Sequence, residues 1–503
     1  MIKNFTAQKI LMCALMSVVV FATSCKKSSN APATETASNE TNVLQTSTTN
    51  RDFLTKDSIF LYAKQTYLWN VGMPSYDNFN PRQYSSNDAV LAALRALPSS
   101  GGKDKYSFID DGTVAGQLGG VSGDFGFSVF FNPGSNTDLR IKYVYATSPA
   151  ATQGLKRGYQ ITKINGNSNI STSATNITFI QEAIFGSNPT VALTVLKPDG
   201  STQDVVVTRA TYNINPILAT NTFTVGTKKV GYINFNSFTT NSVSLLDAAF
   251  AKFATDGITE LVVDLRYNGG GSVATSEAFT NLIAPSSQNG KVMYTTYWTQ
   301  TMQDGKATIL QNQKFYAKGT DGVTRLYSMF DYSWLPTAAA GNQEVFVKRG
   351  SVNNLTRVYF LVTVSTASAS ELLINNLKPV MDVKLIGSKT YGKPVGFFAI
   401  KINKSDLYIP QFQTKNQLNQ GDYFDGMAVD KSLVDDVSKD FGDTSEKLLA
   451  QALNYSATGS FTSISKDNTI SSTSAMGNAE LIDVNAKLDH GFKGMIETRK
   501  LKF

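Results

Sequence analysis

The body of this chain has almost none of the side chains that hydrolytic sites most often use. Of 503 residues only two are cysteine, Cys13 and Cys25, and only one is histidine, His490. Disulfides, cysteine-ligated metals and a cysteine nucleophile are therefore excluded from everything after residue 25. A zinc site built on several histidines cannot be assembled. A Ser-His-Asp triad would have to recruit its base from the C-terminal end. No run of five or more basic residues occurs, so nothing supports a nucleic-acid partner. The formal net charge of +7 is modest, and Lys3 and Lys9 contribute to it from a segment expected to be removed. No cofactor-binding signature is evident either.

The amino terminus carries Lys3 and Lys9, then an apolar run from Ile10 to Ala22. Its thirteen residues span ~20 Å as a helix, short of the ~30 Å hydrocarbon core, so a membrane-spanning anchor is not expected. The run ends Ala22-Thr23-Ser24-Cys25, an order that resembles a bacterial lipobox. The resemblance implies an export signal over 1–24, lipidation of Cys25, and a place in the cell envelope facing the periplasm or the cell surface. The alternative is an ordinary secretory signal that ends near a cysteine. Residues 25–50 are polar and poor in apolar side chains, and read as a flexible tether.

Residues 51–112 read as a small helical domain. Ile59, Tyr62, Ala63 and Tyr67 recur at helical spacing, and Asp88 is placed to cap a second helix through Leu91, Leu94 and Leu97. The period then changes. Leu139, Ile141, Tyr143 and Tyr145 alternate as in a strand, and strands 191–196 and 204–208 flank Pro198-Asp199-Gly200. Between them lies Ser148-Pro149-Ala150-Ala151, then Gly154-Leu155, Gly158, Ile161 and Ile164-Asn165-Gly166. This stretch resembles a PDZ domain, with Tyr159 where Asp is usual. The resemblance implies that Phe125, Gly126 and Phe127 form a loop that holds a substrate's terminal carboxylate, while a strand edge pairs with the peptide. A β module without a ligand is the other reading of residues 113–210.

From 211 to 455 strands and helices alternate: strand 230–235, helix 242–253, strand 260–265, a glycine loop, helix 274–282, a less regular stretch over 290–350, strand 358–364, helix 369–377 and strand 383–386. This predicts an α/β core with mostly parallel strands, whose reactive groups lie at the carboxyl ends of the strands. Residues 456–503 receive no assignment, and His490 reads as a surface residue.

Three segments at such strand ends carry chemistry. Asp264-Leu-Arg-Tyr-Asn-Gly-Gly-Gly-Ser272 can aim backbone N–H groups at an oxyanion; it lacks the Gly-Lys-Ser/Thr of a phosphate loop, and alone it reads as a plain turn. Ser368-Ala-Ser-Glu371, between a strand and a helix, fits a capping box and equally a nucleophile whose oxyanion is stabilised by the following N–H groups. Gly392-Lys393 places a lysine in a loop, where it is a surface charge unless burial lowers its pKa from ~10.4. Without a spare histidine, a Ser–Lys pair is the available means of activating a hydroxyl.

Taken in order, "DLRYNGGG", "SASE" and "TYGK" resemble the catalytic region of the C-terminal processing (tail-specific) peptidase family, and the likeness extends over about 51–455 through Asp104-Lys-Tyr-Ser-Phe108 and Gly426-Met-Ala-Val-Asp430. The resemblance implies a crotonase- or Clp-protease-like α/β core with an inserted PDZ-like domain and a small N-terminal helical domain. It implies Ser368 as nucleophile, Lys393 as base, and an oxyanion hole from Ala369 with Gly270 or Gly271. The substrates would be exported proteins or peptides, and no metal or cofactor is implied. Phe397 stands where relatives carry a glutamine that orients the lysine, and Tyr267-Asn268-Gly269 replaces their usual "NNP". The alternative on the same fold is a lipoprotein that binds lipid or peptide without catalysis.

Overall fold

The computed structural model describes residues 41–319, 321–462 and 484–497. The export signal, Cys25 and most of the tether lie outside the described residues.

The centre is a six-stranded sheet in the order Lys431–Ser432, Asp382–Gly387, Arg357–Val362, Glu260–Asp264, Lys228–Phe235, Ile217–Val225. All neighbours pair in parallel except the last two, which pair antiparallel. Glu260–Asp264 is buried at every residue because both faces of the sheet are covered. The Ser242–Asp256, Val273–Ile283 and Ala369–Leu377 helices cover one face, packing Phe250, Phe279 and Leu372 against Ile233, Val263 and Phe360. The Lys447–Thr458 helix covers the other, with Leu448, Leu449 and Ala452 against Tyr232, Val262 and Tyr359. Strand alternation sends Tyr232 and Ile233 to opposite faces. These elements agree with the expected ones to within a few residues.

Two expectations need correction. The stretch 290–350 holds the Val292–Trp298 strand, a member of a four-stranded antiparallel sheet ordered Gln343–Val345, Val292–Trp298, Phe412–Asn416, Val395–Gly396. Its pairing partner Phe412–Asn416 lies more than a hundred residues downstream, so no local pattern announces it. The helices Arg51–Thr66 and Asn87–Arg95 form no domain with a core of its own, because Ile59, Phe60, Leu91 and Leu94 join the core under the parallel sheet. The second helix is capped by Ser86, whose Oγ accepts from the Ala89 N–H (3.1 Å), and Asp88 lies inside its first turn.

Within the range 113–210 a second core forms, whereas the Thr113–Leu118 helix at its start packs Val114 and Leu118 against Tyr106 and Phe397 of the main body. Five antiparallel strands run in the order Phe127–Phe131, Leu139–Val144, Gln160–Ile164, Thr190–Leu196, Thr202–Thr208, with the Ala174–Ile184 helix packed on them over a core distinct from that of the main sheet. Phe127–Phe131 is an edge strand. Where the chain leaves and re-enters the main body, Val121–Ser122 pairs with Tyr212–Asn213 and closes the neck of the insertion.

Candidate active site

Ser368 stands where the Arg357–Val362 strand has passed into the Ala369–Leu377 helix. Its backbone is at φ 59°, ψ −105°, a region that non-glycine residues enter only under constraint, at a cost of about 1–3 kcal/mol. The side chain is fully buried, and its Oγ lies near the Glu371 N–H in a capping-box arrangement yet forms no hydrogen bond of normal geometry among the described residues. A buried hydroxyl left without a partner on a strained turn is poorly explained by capping alone. It is the condition expected of a nucleophile held for attack.

Glu371 is the residue that assembles the site, a role beyond the capping box that its spacing from Ser368 implies. One carboxylate oxygen accepts from both the Ser368 and the Lys393 N–H, at 2.8 Å each. The other accepts from the Gly392 N–H (2.8 Å) and the Thr390 hydroxyl (2.5 Å). A single buried carboxylate therefore pins the nucleophile turn to the lysine loop. Burial pushes its pKa up, and these four donors pull against that rise.

Lys393 is fully buried. Burial holds its amine well below the usual lysine range, Asp104 and Glu371 oppose that shift, and Lys493 adds to it. The amine lies 4.0 Å from the centre of the Phe397 ring and 5.1 Å from that of Tyr106, so apolar ring faces occupy the place of an orienting amide. Asp104 secures this wall: it accepts from the Tyr67 and Ser107 hydroxyls, both at 2.6 Å, while the Tyr106 hydroxyl donates to the Gly392 carbonyl at 2.6 Å. Nζ donates to the Lys493 carbonyl at 2.5 Å. The expected Ser368–Lys393 hydrogen bond is therefore not made in this conformation, although the two residues share one buried junction.

The glycine loop meets them from the neighbouring strand. Gly270 and Gly271 lie at φ +110° and +139°, accessible only without a side chain. A Cβ on Gly270 would stand 3.0 Å from the Ala369 nitrogen, and one on Gly271 would stand 2.3 Å from the Phe238 carbonyl oxygen. The Gly270 N–H is already donated to Asn268 Oδ1 (2.8 Å). Gly270 thus shapes the loop but its N–H is taken, and Gly271 lies in the same loop, paired in parallel with Met495 of the C-terminal segment. Beneath the loop, Arg266 is buried and bound to Asp264 (2.8 Å), Glu446 (3.0 Å) and Asp435 (2.5 Å), which fixes the strand end.

Phe125, Gly126 and Phe127 line a cavity of about 320 Å³ that also reaches Arg209, Tyr212, Gly269 and Gly271. The cavity joins the inserted unit to the glycine loop. Two details correct the expected role of the Phe125–Phe127 loop. Phe125 points its ring into the core, and the Gly126 N–H is taken by Asp124 (2.7 Å), so this N–H is not free for a carboxylate. Gly126 is required by crowding, since a Cβ there would lie 1.9 Å from that of Ser148. His490 is exposed, as expected, with its ring stacked on Phe185.

A parallel α/β core with a strained buried serine, a buried lysine and a glycine loop at neighbouring strand ends defines a class of hydrolase-like folds. Residues 229–425 match the family model described as peptidase family S41. It is 24% identical over 357 residues to a chloroplastic C-terminal processing peptidase of Tetradesmus obliquus, covering 68% of this chain and 64% of that protein. It is 26% identical over 283 residues to a carboxyl-terminal-processing protease of Synechocystis, covering 56% and 54%. The chain thus matches less than two thirds of the length of these relatives. A crystal structure of a chain from Bacteroides fragilis assigned to the S41 proteases superposes with a TM-score of 0.55 at 23% identity, covering 80% of this chain and 97% of that one, which establishes the shared fold.

Proposed function

We propose that this protein is a serine endopeptidase that cleaves exported proteins or peptides with Ser368 as nucleophile and Lys393 as base. The observation that carries this reading is the junction at Glu371, where one carboxylate oxygen accepts from the backbone N–H groups of both a strained serine, whose buried hydroxyl has no partner among the described residues, and a buried lysine, whose amine burial holds well below its usual range. The free-base amine takes the Ser368 proton as Oγ attacks the scissile carbonyl. The Ala369 and Gly271 N–H groups receive the oxyanion. The C–N bond breaks, the proton passes to the leaving amine, and water repeats the cycle on the acyl-enzyme.

The inserted unit is read as a PDZ-like domain that binds substrate C-terminal tails; the position of Phe127–Phe131 at the edge of its sheet, in a unit that also carries the Ala174–Ile184 helix, supports this. Export and lipid anchoring at Cys25 rest on the sequence, and among the described residues no helix is long and apolar enough to cross a membrane. Incubating the protein and its Ser368→Ala and Lys393→Ala variants with a protein library, and mapping the new termini, tests the reading. Each variant should lower turnover by ~10³-fold or more; cleavage that persists in both refutes the assignment.

A second reading, a binding protein on the same fold, is favoured by the Phe397 ring at the lysine amine where an orienting amide is expected. Covalent labelling of Ser368 by a sulfonyl or phosphonyl fluoride separates the two, since a serine without an activating base does not react.

A further inference from the structure

The last described segment, 484–497, is separated from Thr462 by residues 463–483, which lie outside the described residues, and it returns to the middle of the site. Its first part runs along the inserted unit. Asn485 Oδ1 accepts from the Phe131 N–H (2.8 Å) and its Nδ2 donates to the Phe131 carbonyl (3.0 Å), so the side chain clasps the edge strand. Gln181 of the facing helix donates to the Lys487 carbonyl (2.7 Å), and His490 stacks on Phe185 with ring centres 4.2 Å apart. Val484 and Leu488 are buried in the core of that unit. Residues 484–490 thus lie between the edge strand and the helix, where an added peptide would dock. Asp489 then bridges the two bodies, bound to Lys142 of the inserted unit (3.3 Å) and to the Ser365 hydroxyl of the main body (2.7 Å).

The second part lies in the catalytic cleft as an extended strand. Gly494, Met495 and Ile496 pair in parallel with Gly270, Gly271 and Ser272. On the opposite edge the Phe397 N–H donates to the Met495 carbonyl (3.0 Å) and the Glu497 N–H to the Phe397 carbonyl (2.8 Å). The segment is therefore held between the oxyanion loop and the lysine strand. The place where a Cβ of Gly270 would stand is 2.2 Å from the Gly494 carbonyl oxygen and 3.0 Å from the Ala369 nitrogen. That carbonyl thus crowds the position from which the hole must act. The preceding carbonyl, of Lys493, takes the Lys393 amine.

We propose that residues 484–497 are a tethered peptide occupant of this site, which holds the peptidase in a self-inhibited state until a substrate tail displaces them. The inference rests on the peptidase reading for its consequence, but the occupancy itself stands on contacts alone. It accounts for the state of the dyad: the amine is committed to a tail carbonyl, and the Ser368 hydroxyl is left without a partner. A ligand in the same chain competes at an effective concentration of order mM, so substrates must engage both the edge strand and the cleft to replace it.

Two measurements test the proposal. In the full chain carrying Asn485→Ala and Asp489→Ala, which touch neither nucleophile nor base, kcat/KM for a peptide substrate should rise at least tenfold. A synthetic peptide of residues 484–503, added in trans at mM concentration, should reverse that rise. Independently of activity, hydrogen exchange in the full-length Ser368→Ala protein should show the Gly494 and Glu497 amides protected, and exposed once a peptide with a free C-terminal carboxylate is bound to saturation. Tail amides that stay protected under saturating peptide, or an active parent whose kcat/KM is unchanged by the double variant, overturn the proposal. Displacement of the tail in a protein that cleaves nothing supports the occupancy and refutes the peptidase reading instead.

Discussion

Glu371→Gln isolates the device on which the site depends. The carboxylate accepts four hydrogen bonds, two on each oxygen, and three come from main-chain N–H groups that no side-chain change can reorient. In the glutamine variant the amide oxygen can keep the Ser368 and Lys393 donors. The NH₂ then faces the Gly392 N–H, leaving one buried donor unpaired at a cost of about 1–3 kcal/mol. The Thr390 hydroxyl already accepts from the Met427 N–H at 2.7 Å and has little freedom to compensate. The retained bonds lose their ionic character and weaken. Against this, the neutral amide is relieved of the burial that raises the glutamate pKa. The net expectation is a loss of about 2 kcal/mol, or about 4–8 °C in the thermal midpoint of the catalytic core, with residual activity. Glu371→Ala strips all four acceptors and should cost about 4 kcal/mol or more, enough to disorder the junction. Circular dichroism melts, urea titrations and kcat/KM on the purified variants decide the matter. If both variants lie within about 0.5 kcal/mol of the parent, the carboxylate does not organise the site and the reasoning fails.

Lys393→Met should abolish turnover while making the protein more stable at neutral pH. Burial sets the folded pKa of Lys393 well below its unfolded value of ~10.4. The folded chain therefore holds fewer protons than the unfolded one, and this residue's contribution to stability is fully present above ~10.4 and declines as the pH falls toward the folded pKa. Stability curves against pH should lose that slope in the methionine variant. For the same reason kcat/KM should reach its plateau below the ordinary lysine range; a profile still climbing through ~10.4 contradicts a buried free-base amine. Gly271→Ala should be severely destabilising, about 3 kcal/mol or more in urea titrations, since its Cβ would lie 2.3 Å from the Phe238 carbonyl at φ +139°. Cys25→Ala should abolish incorporation of radiolabelled fatty acid into the expressed protein and release it from the membrane fraction; unchanged labelling refutes the lipid anchor.

Much of the site was legible because its parts are local. An apolar run bounded by glycine or serine marks each parallel strand and the loop that follows it, and the helix Ala369–Leu377 appears with the limits expected. Elimination, in a chain with one histidine and no cysteine beyond residue 25, left a Ser–Lys pair as the available chemistry, and the family resemblance pointed to Ser368 and Lys393. Glu371 was visible only as a cap, because its partners at 390–393 are adjacent to it through packing alone. The Val292–Trp298 strand escaped notice because its neighbours are remote in sequence.

Composition and periodicity by themselves determined the α/β alternation and the change to strand periodicity ahead of it, since each depends on residue type and short spacing. Only the tertiary structure decided that the N-terminal helices share the main core, that the Gly270 N–H is already taken by Asn268, and that Lys393 meets a carbonyl one hundred residues away. These are outcomes of which surfaces meet and which donors are already satisfied, and neither is encoded in any short stretch of the chain.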